Sequence, residues 1–311
     1  MPGMAIDRPG SSLAASGLLL AAAAIWGFAF VAQRAGMEHV GPFFFNGVRF
    51  LLGALVLAPF LFRPSRSRPA AAPRALDRAT ACGLVAAGLV LTVAANLQQV
   101  GLLTTTAGKA GFLTGLYVVL VPLFGLARGQ RIRWAMALAA PLAAAGLYLL
   151  SVVGPLRIAA GDAWVLLGAL VWAVHVHLID WLVGRAGALR IAFVQFAICG
   201  AVSLAGSLLW ESTSLAGCIA ASGAIAYAGL LSVGVAYTLQ VFGQRRVEPS
   251  RAGVVLSLEA VFAALGGWLI LGEKLNARSL LGCGLLLAAM VLAQFSSAPR
   301  VSCPTIRSDV E

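Results

Sequence analysis

Six ionisable side chains fall inside long apolar stretches of the chain: Arg49, Lys109, His175, His177, Asp180 and Glu259. A charge in hydrocarbon costs about 2.5–3.5 kcal/mol on insertion scales, so such residues are functional candidates by default. The planar guanidinium of Arg49 suits a carboxylate or another anionic group. Lys109 could join it in a basic patch, or it could snorkel towards headgroups along its apolar stem. Glu259 and the two histidines suggest proton handling. Histidine titrates near neutrality, and a carboxyl group in an apolar medium holds its proton more readily than in water. The alternative for Glu259 is a hydrogen bond that packs helices. His175 and His177 cannot form a two-ligand metal clip, because spacing i, i+2 puts them on different helix faces. Asp180 suits an interfacial position.

Neutral polar groups accompany these charges. Asn46, Asn96, Gln98, Gln99, Gln195, Tyr117, Tyr237 and Gln240 lie within apolar segments. Some are expected to bond helix to helix and the others to line a cavity. Trp26 and Trp172 lie deep in their segments, unlike the tryptophans of an aromatic belt, and suit a cavity wall or a packed core. The candidate substrate-binding set is therefore Trp26, Asn46, Arg49, Asn96, Gln99, Lys109, Tyr117, His175, Gln195, Tyr237 and Glu259. The proton-coupling candidates are Glu259, His175 and His177.

The elements that must position these residues follow from composition. Of 311 residues, 60% are hydrophobic and 11% charged, against about 25% charged in soluble domains. With a mean hydropathy of +0.94, this is a polytopic membrane protein. A bilayer core of about 30 Å needs about 20 apolar residues per helix. The chain supplies ten such segments: 13–31, 42–62, 79–101, 105–127, 134–153, 162–183, 189–210, 217–242, 252–271 and 277–296. The first is too long, and too free of a cleavage site, for a signal peptide. The polar tail 297–311 reads as disordered, and 63–78 as the longest loop. Five scattered cysteines without CxxC spacing argue against a disulfide framework or zinc site.

The net charge of +11 would suggest nucleic acid in a soluble protein. Here 16 of the 22 basic residues fall at one set of loop ends: Arg8, the group Arg63 to Arg78, Arg128, Arg131, Arg133, Arg185, Arg190, Arg245, Arg246, Arg251, Arg300 and Arg307. The positive-inside rule then puts both termini in the cytoplasm and requires an even number of helices. Nucleic acid is not an expected partner.

The chain also repeats itself. At an offset of 142, Leu97, Gln98, Gly101, Ala110 and Gly111 match Leu239, Gln240, Gly243, Ala252 and Gly253, with Lys109 against Arg251 and Tyr117 against Glu259. At 146, Trp26 matches Trp172 and Phe50 matches Phe196. Five helices per repeat is odd, so the halves run oppositely through the bilayer. Such inverted repeats place a substrate site near the midplane between them. The expected fold is all-α, ten transmembrane helices in two inverted repeats, 13–153 and 162–296. Gly111 with Gly115 spells GxxxG, a close-packing signal.

An ordered set of short motifs carries a family resemblance. These are Ile25-Trp26-Gly27, Val48-Arg49-Phe50, the run Thr105 to Pro122, Ser257-Leu258-Glu259, and Gly272-Glu273-Lys274-Leu275. Across nearly its whole length the chain resembles drug/metabolite transporters of the EamA-domain type. The resemblance implies a ten-helix transporter of small metabolites or drugs, often an exporter. Two departures bear on local helix geometry: Ala260 stands where relatives commonly carry proline, and Gly129-Gln130-Arg131 replaces a Gly-Glu.

The resulting expectation is a secondary transporter in the cytoplasmic (inner) membrane. It would move a small metabolite, amino-acid-like solute or drug by alternating access, with export favoured and proton coupling a further possibility. A homodimer is compatible with the sequence. No GxxxxGK[ST] points to ATP, and no HExxH or GxSxG supports the alternative of an intramembrane enzyme. A channel or structural subunit fits the composition but not the repeat. No cofactor or metal is expected.

Overall fold

The computed structural model describes residues 9–62, 76–105, 107–130, 132–151, 160–271 and 276–295. The tail 297–311, most of the loop 63–78 and the segment Gly272 to Leu275 lie outside them.

The described chain is helical throughout. Helices α1 (Pro9–Met37), α2 (Pro42–Phe62) and α3 (Arg78–Gly101) are followed by two half-helices, α4 (Ala107–Gly115) and α5 (Tyr117–Ala127). Helix α6 (Trp134–Ser151) completes the first repeat. The second contains α7 (Ala160–Val183), α8 (Ala188–Trp210) and α9 (Leu215–Tyr227), which runs through a π-helical segment (Ala228–Tyr237) into α10 (Thr238–Gln244). Half-helices α11 (Pro249–Leu256) and α12 (Glu259–Leu271) and the last helix, α13 (Ala277–Gln294), close it. Among the described residues, nine segments are long and apolar enough to cross a membrane. The tenth, α6, offers Trp134–Leu150, roughly 25 Å at 1.5 Å per residue.

Contacts between repeat mates reveal their directions. Along α2 and α8, Gly47 meets Leu204 while Leu51 meets Gly200. As one number rises the other falls, so the mates are antiparallel. Helices α6 and α13 behave alike: a Cβ at Gly146 would lie 3.0 Å from Leu286, and one at Gly282 would lie 3.0 Å from Leu150. Each of these two glycines also faces the other's backbone carbonyl, at 2.8 and 2.7 Å from an added Cβ. The two backbones therefore cross where neither carries a side chain. Helix α3 lies antiparallel on α7, and α1 on the α9–α10 span. These are equivalent pairings in the two halves.

Capping fixes the helix ends at the loops. Glu211, just past α8, accepts hydrogen bonds from the Phe43 and Phe44 amides at 2.8 and 2.7 Å. A carboxylate thereby satisfies the first turn of α2, where the helix dipole is positive. Ser214 caps α9 through Gly217, and Asn276 caps α13 through Ser279. The end of the bundle bearing Arg78, Arg128, Arg185 and Arg245 is here called the arginine-rich end. Trp134 at this end, and Trp164, Trp210 and Trp268 towards the other, are exposed, as interfacial tryptophans are.

The structure differs from the sequence reading in three elements. The segments 105–127 and 252–271 are not continuous helices. Each breaks at the same aligned place, before Tyr117 and before Glu259, where hydrogen bonds tighten to i→i+3: Val119 to Leu116, Ala260 to Ser257 and Val261 to Leu258. The Ser257 hydroxyl also donates back to the Val254 carbonyl at 2.8 Å, a local bond that competes with the helix. The break forms with alanine, not proline, at position 260. The third difference is the π-helical widening at Ala228–Tyr237. The GxxxG pair is only half used: Gly115 packs on Leu147, while Gly111 has nothing within 4 Å of an added Cβ.

Candidate functional site

Both helix breaks face one central cavity. Its volume is about 50 Å³, below the roughly 300–1,000 Å³ of small-molecule sites, so a bound solute requires the lining to move apart. Tyr117 and Glu259, the first residues of α5 and α12, line it from opposite repeats. Trp26 and Trp172 supply its aromatic walls, with Tyr237 between them. Trp26 meets Tyr237 edge-on at 4.6 Å, and Trp172 stacks on it at 6.0 Å. The Trp26 indole N–H donates to the Ser232 carbonyl at 3.0 Å, within the π-helical segment. The Trp172 indole donates to Gln98 Oε1 at 3.0 Å. A π-helical stretch frequently marks a functional site, and this one carries Ser232 and Tyr237 into the lining.

Arg49 brings the cavity its positive charge. The side chain is buried, and its Nε donates to Asn46 Oδ1 at 2.8 Å. Its guanidinium carbon lies 5.0 Å from the Phe50 ring centre and 5.5 Å from that of Phe45. Among the described residues no carboxylate pairs with it. Asn46 donates in turn to Asn96 Oδ1 at 2.9 Å, and Asn96 donates to Ser203 Oγ at 2.7 Å and to the Thr92 carbonyl at 2.9 Å. This chain of amides ties α2, α3 and α8 together behind the arginine.

Glu259 is also buried, and among the described residues its Oε1 has no hydrogen-bond partner. The same holds for Gln33 Oε1, Thr114 Oγ1 and Gln240 Oε1, all in the same lining. Unsatisfied buried polar atoms are rare in proteins and call for a ligand, a water or a proton.

The arginine-rich end of this space is packed shut. Arg251 Nη2 donates to Ser16 Oγ at 3.1 Å, and Ser16 donates to Gln294 Oε1 at 3.4 Å, joining α11, α1 and α13. Gln244 Nε2 donates to the Val176 carbonyl at 3.1 Å, and His177 Nε2 to that of Val121 at 2.8 Å. Towards the opposite end the lining continues through Phe30 and Gln33 on α1.

Of the candidates read from sequence, the cavity thus gathers Trp26, Arg49, Tyr117, Tyr237 and Glu259. Asn46 and Asn96 sit behind Arg49. His175 does not line it: His175 Nε2 donates to Gln195 Oε1 at 2.8 Å, and its ring stands edge-on to Trp172, while His175 Nδ1 and Gln195 Nε2 have no partner among the described residues. His177 points instead to α5. Neither histidine contacts Glu259, so no Glu–His pair forms. Gln99 is buried outside the lining, and neither of its amide atoms is bonded within the described residues. Lys109 belongs to α4, but its side chain lies outside the described set. Gln33 and Thr114 had no sequence signal, since single polar residues in an apolar helix do not reveal their facing. No group of three or more His, Cys, Asp or Glu side chains converges among the described residues.

Comparison with known proteins agrees with this architecture. An uncharacterized transporter of Archaeoglobus fulgidus is 29% identical over 276 residues, covering 87% of this chain and 82% of its own. The uncharacterized inner membrane transporter YedA of Escherichia coli is 27% identical over 291 residues, covering 89% of each. A solved crystal structure superposes with a TM-score of 0.73 at 19% identity, over 91% of this chain and 96% of that one, and so shares the fold. The EamA-like transporter family matches twice, over residues 13–152 and 159–295. With nine membrane-length spans and a further apolar helix among the described residues, in two inverted halves with a cavity between them, the chain belongs to the EamA-like transporter family and is a membrane transporter.

Proposed function

We propose that the protein is a secondary carrier that moves a small organic solute across the cytoplasmic (inner) membrane by alternating access, with proton coupling at Glu259. The observation that carries this reading is the pair of side chains Arg49 and Glu259, buried in one cavity at the helix breaks without carboxylate or cationic partners among the described residues. Arg49 takes an anionic group of the solute, and the Trp26, Trp172 and Tyr237 rings take its apolar or flat part. Glu259 exchanges a proton when the cavity opens to either side. The sealed arginine-rich end and the lining that runs towards the other end fit a conformation closed to the cytoplasm. The direction favoured is export, and the name of the Escherichia coli relative supports the inner membrane. The repeats are taken as 13–153 and 162–296, and both termini as cytoplasmic.

Purified protein in proteoliposomes tests the carrier reading. After a thermal-shift screen of amino acids, organic anions, nucleosides and cationic drugs, any stabilising solute is assayed for counterflow. Exchange of labelled for unlabelled solute is expected; downhill leak without exchange would indicate a channel. The Glu259→Gln variant is expected to retain exchange and lose accumulation driven by a pH gradient. Full pH-driven flux in that variant would overturn proton coupling at this residue.

A further inference from the structure

A second concavity lies on the flank of the bundle, near the arginine-rich end, between α3, α5 and α7. Its volume is about 730 Å³, and it shares no lining residue with the central cavity. Its walls are mostly apolar: Cys82 and Ala86 from α3, Phe124 from α5, Leu178 and Trp181 from α7. Gly83 lets the Trp181 ring lie against α3, since an added Cβ would collide with that ring.

The charges sit at one end of the groove. Arg128, exposed at the end of α5, is part of the lining. The Arg185 guanidinium lies 4.1 Å from the centre of the Trp181 ring and donates to the Trp181 carbonyl at 2.9 Å. Arg78 is exposed one turn before Cys82 on α3. One polar atom of the wall is orphaned: His177 is buried, and among the described residues its Nδ1 has no partner. An apolar slot with a basic rim, lying between transmembrane helices at the positively charged end, matches an acidic headgroup above an acyl chain.

We infer that this groove binds one anionic phospholipid of the surrounding leaflet, its phosphate at Arg128 and Arg185 and an acyl chain along Cys82, Ala86 and Phe124. The lipid would lie across α5, the half-helix that starts at the cavity, and tie it to α3 and α7. A diffuse charge effect would involve any arginine at this end of the bundle. A built site involves these two above others such as Arg245, which packs over Phe242 outside the groove.

Delipidated full-length protein in detergent, titrated with phosphatidylglycerol or with phosphatidylcholine of the same acyl chains, tests the proposal. Native mass spectrometry reads the bound lipid, and the alkylation rate of the exposed native Cys82 reads where it sits. Phosphatidylglycerol should be retained over phosphatidylcholine by about tenfold or more and should slow alkylation of Cys82. The Arg128→Ala/Arg185→Ala variant should lose both effects with an unchanged melting transition, while Arg245→Ala should keep them. Equal retention of the two lipids, undiminished retention in the double variant, or an equal loss in Arg245→Ala would each overturn the proposal. So would protection of Cys82 by a transported solute in place of lipid.

Discussion

Arg49 is a buried arginine that lines the cavity, and an amide network fixes its orientation. Its Nε is held by Asn46, and the residue lines the cavity, where its two terminal nitrogens would offer a fork. A fork binds a carboxylate through two parallel hydrogen bonds, which an ammonium group cannot reproduce. Arg49→Lys should therefore weaken binding of an anionic solute in a thermal-shift or counterflow titration by about 10- to 100-fold, since a hydrogen bond to a charged group contributes about 1.5–3 kcal/mol. Asn46→Ala should produce a smaller loss of the same kind, because it releases the arginine without removing it. Equal affinity in wild type and Arg49→Lys would show that the solute does not engage the fork. The candidacy of Arg49 and Glu259 was legible in the sequence because charges in apolar helices are rare. The roles of Asn46, Asn96 and Gln195 were not. An amide looks the same in a helix whether it faces a cavity or a neighbouring amide, and only the crossing of α2, α3 and α8 decides. For the histidines, equal depth in the bilayer does not tell whether two side chains lie on facing surfaces, and His175 and His177 bond to Gln195 and to the Val121 carbonyl.

Helices are positioned here by small residues and by caps more than by hydrophobic contrast, which is weak in lipid. The crossing of α6 and α13 rests on Gly146 and Gly282. Gly282→Leu should force the helices apart and lower the melting temperature in detergent, through an overpacking cost of about 1–3 kcal/mol. The same substitution at Gly284, which has nothing within 4 Å, should leave it unchanged. Glu211→Ala should destabilise the α2–α8 pair by about 1 kcal/mol through loss of the cap at Phe43 and Phe44, read in the same melt. The helix breaks were hidden in the sequence. Alignment of Tyr117 with Glu259 identified the right pair, but a break made by i→i+3 tightening leaves no proline or double glycine to mark it. The ten apolar segments themselves were plain, because a bilayer fixes their length.

At the scale of the molecule, the arginine count makes a topological prediction. With native cysteines replaced, a cysteine at Gly184, beside Arg185, should react with an impermeant maleimide only after the cell membrane is opened. A cysteine at Ser212, in the loop after α8, should react in intact cells. The reverse pattern would invert the orientation. The antiparallel pairing of repeat mates has a different consequence, one for biogenesis. Helix α2 packs most extensively on α8, and α6 on α13, so each half leaves its main packing surfaces to the other. The first five helices must wait in the membrane with unfilled grooves until the second five are inserted. Two separately translated halves, divided in the segment between α6 and α7, would then be expected to remain inert alone and to recover transport when made together.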